Sequence, residues 1–137
     1  MIGLIADTSV AIKWFAREEQ SDIAEAILES GVEIHAPEFM WIETANGLWK
    51  KWRQRILPRD DVGASVAKLR GLIDHWHADA DLVEDASAMS VALGHPVYDC
   101  IFLVLARNLK IQVVTADRRL LGIAPHGLAV ALEEWRA

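Results

Sequence analysis

Residues 1–10 read MIGLIADTSV. A run of small and apolar side chains, Ile2 to Ala6, ends abruptly in a carboxylate and two hydroxyls, Asp7, Thr8 and Ser9. A short continuous apolar run reads as a strand buried on both faces. Any of the three polar residues can cap a helix, expected to run to about Arg17. The alternation continues along the chain. Helices are expected over Ser21–Ser30, from Pro37 to about Gln54, from Pro58 to about His77, over Ala86–Leu93 and over Tyr98–Leu109. Short strands are expected at Glu33–His35, Leu82–Val83, Ile111–Val114 and Leu128–Val130. Strands separated by helices build an α/β fold, a parallel sheet covered on both faces.

With 137 residues, 53% of them hydrophobic, the chain is expected to form one domain, residues 1–137, whose core needs no metal or disulfide. The single cysteine, Cys100, excludes an internal disulfide and fits a reducing, cytoplasmic setting. A signal peptide is not expected, and the apolar run Ile101–Ala106 is far too short to span a bilayer. The net charge of −6 argues against non-specific nucleic-acid binding. The charges are segregated, however. Seven acids and no Lys or Arg lie between Glu18 and Glu38, whereas Lys50, Lys51, Arg53, Arg55 and Arg59 follow one another with no acid between them. Taken alone, that basic stretch reads as a solvated helix end.

Four acids stand where elements end. In open parallel sheets ligands bind beyond the carboxyl ends of the strands. Asp7 lies at such an end, and Asp117 follows the strand expected at Ile111–Val114. Asp99 opens the helix Tyr98–Leu109, which travels about 16 Å. The next strand returns by a comparable distance, so Asp99 and Asp117 can finish near one another. On the helix after Pro37, Trp41, Ala45, Leu48 and Trp52 form an apolar stripe, with Glu43, Asn46, Gly47 and Lys50 opposite. Glu43 is therefore expected to face a cleft, with Gly47 leaving open space beside it. Each acid alone reads better as a cap, a turn former or a solvated helix residue than as a functional group; their joint placement shifts the balance.

The segments IADTSVAIKWF, IETANGLW, HPVYDCIFLVLAR and VVTADRRL, in this order and at this spacing, resemble the PIN-domain family, and in particular the VapC-type toxins of bacterial toxin–antitoxin pairs. The resemblance spans nearly the whole chain. It implies a three-layer α/β/α sandwich with a short, mostly parallel sheet. It also implies a metal-dependent nuclease whose acidic site is Asp7, Glu43, Asp99 and Asp117. Ser9 and Thr115 match the family's hydroxyl positions, and Asn46 matches the Asn that often follows the Glu.

Converging carboxylates repel by about 4 kcal/mol per pair at 4 Å and an effective dielectric of 20. A divalent cation such as Mg²⁺, or Mn²⁺ in its place, removes that penalty. The expected metal ligands are Asp7, Asp99 and Asp117. Glu43 is expected to position or deprotonate an attacking water, and Ser9 and Thr115 to hold carboxylates by hydrogen bonds. The resemblance further implies an RNA substrate, a cognate antitoxin and a homodimer. Lys13, Arg118 and Arg119 are expected to join Lys50–Arg59 in offsetting repulsion of RNA. A groove lined by Trp14, Phe15 and Ile23 is the expected antitoxin seat. A competing reading is a binding module that keeps the fold without cleaving anything. His75 and His77 read as two surface histidines, since neither a Cys nor a third His supports a zinc site, and Cys100 reads as a buried thiol.

Overall fold

Gly3–Ala6 form the first strand, β1, and all four residues are buried. The computed structural model describes residues 3–137, so Ile2, expected to begin this strand, lies outside the described residues. Asp7 caps the helix α1 (Thr8–Lys13), its side chain accepting from the Val10 amide. The chain continues through α2 (Ser21–Glu29), β2 (Glu33–Pro37), α3 (Phe39–Arg53), α4 (Arg59–Leu72) and β3 (His75–His77). A short 3₁₀ turn then leads into α5 (Val83–Leu93), α6 (Val97–Leu109), β4 (Val113–Thr115), α7 (Arg118–Ile123) and β5 (Ala129–Ala131).

The five strands form one sheet in the order β3-β2-β1-β4-β5, and every pairing is parallel. The expected α/β/α sandwich is thus present. The strand order reverses direction at β1, with β2 on one side and β4 on the other. That reversal is the crevice in which parallel sheets hold ligands. Helix α6 is the central helix. Its residues Cys100 to Ala106 are all buried, and it packs on β1, β2 and β4. A helix apolar all round belongs inside a protein. Among the described residues no single helix is long and apolar enough to cross a membrane.

Three expectations fail for identifiable reasons. The helix expected to end near His77 stops at Leu72, because Asp74 binds β2 from both its groups. Its amide donates to the Ile34 carbonyl at 2.9 Å, and its carboxylate accepts from the Ile34 amide at 2.8 Å. Trp76 stacks on Trp41, and its indole donates to the Arg70 carbonyl at the end of α4. These long-range bonds make His75–His77 an edge strand. Val83 opens α5 and Leu82 is the turn residue before it, neither being extended, with Glu84 and Asp85 favouring a helix start there. Finally, α1 ends four residues before Arg17. Lys13 pairs with Glu18 at 2.8 Å, and the Glu18 amide donates to Ser21, which opens α2.

The helices around β1 are fastened by tryptophan. Trp14 donates to the Ala24 carbonyl at 2.8 Å, and Trp41 to the Val66 carbonyl at 2.9 Å. Trp14, Phe15 and Ile23, expected to line a groove between the first helices, are partly buried against the core. The buried stripe of α3 is Met40, Thr44 and Leu48, and Trp52 is exposed. Gly47 lines the same cleft as Glu43, and it also serves a packing role that spacing does not show. Its missing Cβ admits Ile12 of α1, whose Cδ1 would lie 2.4 Å from a Cβ built there. Replacing Gly47 by Val should therefore destabilise the fold by about 1–3 kcal/mol. Adding Ile12→Ala should recover part of that loss, and urea unfolding of the single and double variants checks it.

A candidate active site built from four carboxylates

Asp7 stands where β1 becomes α1, and its carboxylate is buried. Three donors hold it. The Ser9 hydroxyl donates to Oδ1 at 2.6 Å, the Val10 amide donates to the same oxygen at 3.2 Å, and the Thr115 hydroxyl donates to Oδ2. The two hydroxyls also accept from the backbone after β4. Ser9 Oγ receives the Ala116 amide at 2.9 Å, and Thr115 Oγ1 receives the Asp117 amide at 2.9 Å. Both hydroxyls thus use donor and acceptor capacity, joining the carboxyl ends of β1 and β4 through a carboxylate. Three bonds leave about one of its four lone-pair positions free.

Asp117 caps α7, accepting from the Arg119 amide at 2.9 Å. Asp99 sits in the first turn of α6, where His95 Nε2 lies 2.6 Å from its Oδ2. Glu43 projects from α3 and accepts a hydrogen bond from the Thr8 hydroxyl. Asp7, Glu43, Asp99 and Asp117 all line one cleft of about 470 Å³, together with Thr8, Ser9, Asn46, Lys50, Lys51 and Arg119. Asn46 reaches this cleft without a hydrogen bond to any of the four acids. Thr115 acts from beneath, through Asp7.

The acids feel one another. Burial pushes the Asp7 carboxyl up to about 6 against its three hydrogen bonds, and the neighbouring Asp117 charge adds to the rise. Burial likewise raises Glu43, with Asp99 and Asp117 contributing after the opposing bond from Thr8. For Asp7, burial outweighs the three hydrogen bonds. The four acids offer only oxygens, the donor chemistry of hard divalent ions such as Mg²⁺ and Mn²⁺. The residues therefore fit such an ion, with Asp7, Asp99 and Asp117 as its potential holders.

Two polar partners escape a reading of the sequence for acids alone. Thr8 was legible only as a cap, yet it orients Glu43. His95 lies in the bend before Pro96, the N-cap of α6, so helical spacing does not mark it as a partner of Asp99. The basic residues also divide. Lys13 is buried against Glu18, which takes Lys51 as well at 2.8 Å. Neither lysine is a free cation, contrary to the expectation for Lys13. Lys50 lines the cleft with no acid partner among the described residues, and Arg53 lies over the Trp49 ring at 5.2 Å. Trp49 and Trp52 are 43% and 41% exposed, so they are surface aromatics rather than core.

The architecture has counterparts. A curated relative, Ribonuclease VapC3 of Pyrobaculum aerophilum, is 29% identical over 119 residues, covering 85% of this chain and 91% of the relative. Among solved structures, a toxin–antitoxin complex from Klebsiella pneumoniae aligns with a TM-score of 0.66 at 17% identity, covering 95% of this chain and 98% of that one. VapC20 of Mycobacterium tuberculosis, described as a sarcin–ricin loop cleaving toxin, aligns with a TM-score of 0.69 at 19% identity, covering 88% and 94%. The family model for the PIN domain matches residues 4–124, which include all four acids, and the chain belongs to the PIN-domain family.

Proposed function

We propose that this chain is a metal-dependent endoribonuclease acting as the toxin of a toxin–antitoxin pair, with Asp7, Glu43, Asp99 and Asp117 as its catalytic acids. The observation that carries this reading is the convergence of four carboxylates on one cleft, with Asp7 buried and raised to about 6. The relationship to a ribonuclease named VapC3 supports RNA as the substrate. The structural likeness to a toxin–antitoxin complex is in keeping with an antitoxin partner.

A bound Mg²⁺ or Mn²⁺ would supply a nucleophilic water at neutral pH and stabilise charge on the phosphate oxygens. Asp7, Asp99 and Asp117 would hold the ion. Ser9 and Thr115 keep Asp7 oriented by donating to both its oxygens, and His95 orients Asp99. Glu43, raised by burial and bound by Thr8, would align the attacking water and take its proton. Lys50 and Arg119 line the cleft and would offset the repulsion between the acids and the RNA backbone. The exposed Trp49, backed by Arg53, offers a stacking surface for a base. The antitoxin would inhibit by inserting an Arg or Lys among the acids in place of the ion. Self-association as a homodimer belongs to the same proposal, for which the exposed Ile42 and the stacked Phe39–Tyr98 pair provide apolar surface. The working compartment is the cytoplasm, where RNA is at hand.

Two outcomes are expected. Intact protein with Mg²⁺ or Mn²⁺ should cleave a total-RNA substrate, leaving 5′-phosphate ends. Asp7→Asn should lower the rate at least ~100-fold, as expected when charge stabilisation at a reacting centre is removed. Metal-dependent binding by the intact protein with no cleavage of any RNA would favour a binding module instead.

The second outcome concerns pH. Unfolded, Asp7 ionises near 3.8; folded, it ionises at about 6. Its contribution to stability is fully present below about pH 4 and is lost as pH rises through about 6, a change of about 3 kcal/mol in the metal-free protein. Glu43 shifts in the same direction. The stability difference between intact protein and Asp7→Asn should therefore grow against the intact protein from pH 4 to 7. Saturating Mg²⁺ should close it, as read by urea unfolding with and without the ion.

A further inference from the structure

We propose that Glu33, His35 and His75 form a second metal site, separate from the acidic cleft, that takes a transition ion of the Zn²⁺ class at the edge of the sheet. The strand pairing builds it. β2 and β3 run parallel with His35 opposite His75 and Pro37 opposite His77. Alternation along β2 places Glu33 on the same face as His35. The imidazoles of His35 and His75 consequently stack, with centroids 4.5 Å apart and planes 24° from parallel. Glu33 Oε2 lies 3.3 Å from His75 Nε2 and 4.0 Å from His35 Nε2. One donor atom from each of the three residues falls within 4.8 Å of the others. Ligands at tetrahedral zinc stand roughly 3.3 Å from one another, given bonds of about 2.0 Å. Small rotations of exposed side chains bring this set to that spacing.

Two further features favour ligation over an ordinary surface cluster. His35 Nδ1 lies 2.9 Å from His77 Nε2. With the proton on Nδ1, His35 donates to His77 and turns the lone pair of its own Nε2 toward Glu33 and His75. Metal-bound histidines are commonly oriented in this way by a partner on the second ring nitrogen. Gly3 of β1 lies beside the same atom. A Cβ built at Gly3 would stand 3.1 Å from His35 Nε2 and 3.2 Å from its Cδ2, so glycine leaves the donor nitrogen uncrowded.

Two imidazoles and one carboxylate suit Zn²⁺, Co²⁺ or Ni²⁺, whereas Mg²⁺ prefers an all-oxygen set. Glu33 and His75 are 56% and 48% exposed, which leaves the remaining coordination position to water. The acidic cleft lies beyond the carboxyl ends of the strands, and Glu33 begins its strand. Asp7 lies four positions after Gly3, the partner of Glu33, about 13 Å along the strand direction. Bound there, the ion would clip the three-residue edge strand β3 to β2, stabilising the folded chain by mass action.

The test uses Co²⁺ as a spectroscopic probe and Zn²⁺ as competitor on the full chain. Intact protein should bind one equivalent of Co²⁺ with visible ligand-field absorption, displaced by Zn²⁺, and Zn²⁺ should raise its melting temperature. His75→Ala and Glu33→Gln, both at exposed positions, should weaken Zn²⁺ binding at least 10-fold while leaving the far-ultraviolet circular dichroism unchanged. The double variant Asp7→Asn, Asp99→Asn should retain the Co²⁺ spectrum. The proposal is overturned if no saturable absorption develops, or if the absorption survives His75→Ala and disappears in the Asp7→Asn, Asp99→Asn protein. Because the acidic cleft is disabled in that double variant, failure of this site and failure of the nuclease reading are distinguishable.

Discussion

A single buried carboxylate organises this molecule. Asp7 stands at the end of the central strand, where burying a negative charge is expensive unless its oxygens are occupied. Two hydroxyls and an amide occupy them. Because one hydroxyl comes from α1 and the other from β4, satisfying Asp7 draws together chain segments more than a hundred residues apart. The same hydroxyls receive the amides of Ala116 and Asp117, so the turn into α7 has its backbone satisfied by this carboxylate's partners. The position of Asp117 follows from the solvation of Asp7.

Structural and chemical roles coincide in these acids. Asp7 and Asp117 are both helix caps and cleft residues, and neither description displaces the other. A cap must lie where a strand hands over to a helix, and in a parallel sheet that handover lies at the ligand-binding edge. Capping supplies only part of what the anions lack, since Asp7 and Glu43 remain raised after their hydrogen bonds are counted.

Much of this was readable from residue order. The apolar run before Asp7, the apolar run of α6 and the turn residues between them predict an α/β fold with acids at its edge, and the four acids do line one cleft. Local rules lost where long-range bonds decided the outcome. Nothing local marks His75–His77 as a strand; Asp74 and Trp76 settle it through partners on β2, α3 and α4. The third histidine was missed for the same reason, since His35 is distant in sequence and adjacent only through strand register. On α3, spacing alone could not rank Trp52 against Met40 and Thr44, because which side of a helix is buried depends on its neighbours. Gly47 lines the cleft with Glu43, but its close approach to Ile12, on another helix, is likewise invisible in the spacing.

Glu18 lies in the acid-rich stretch but serves the basic one. It accepts both Lys13 at the end of α1 and Lys51 near the end of α3, each at 2.8 Å. One anion shared by two cations acts as a spacer between the two helices that flank the cleft mouth. The spacing of those walls is thereby tied to the connection leading into α2.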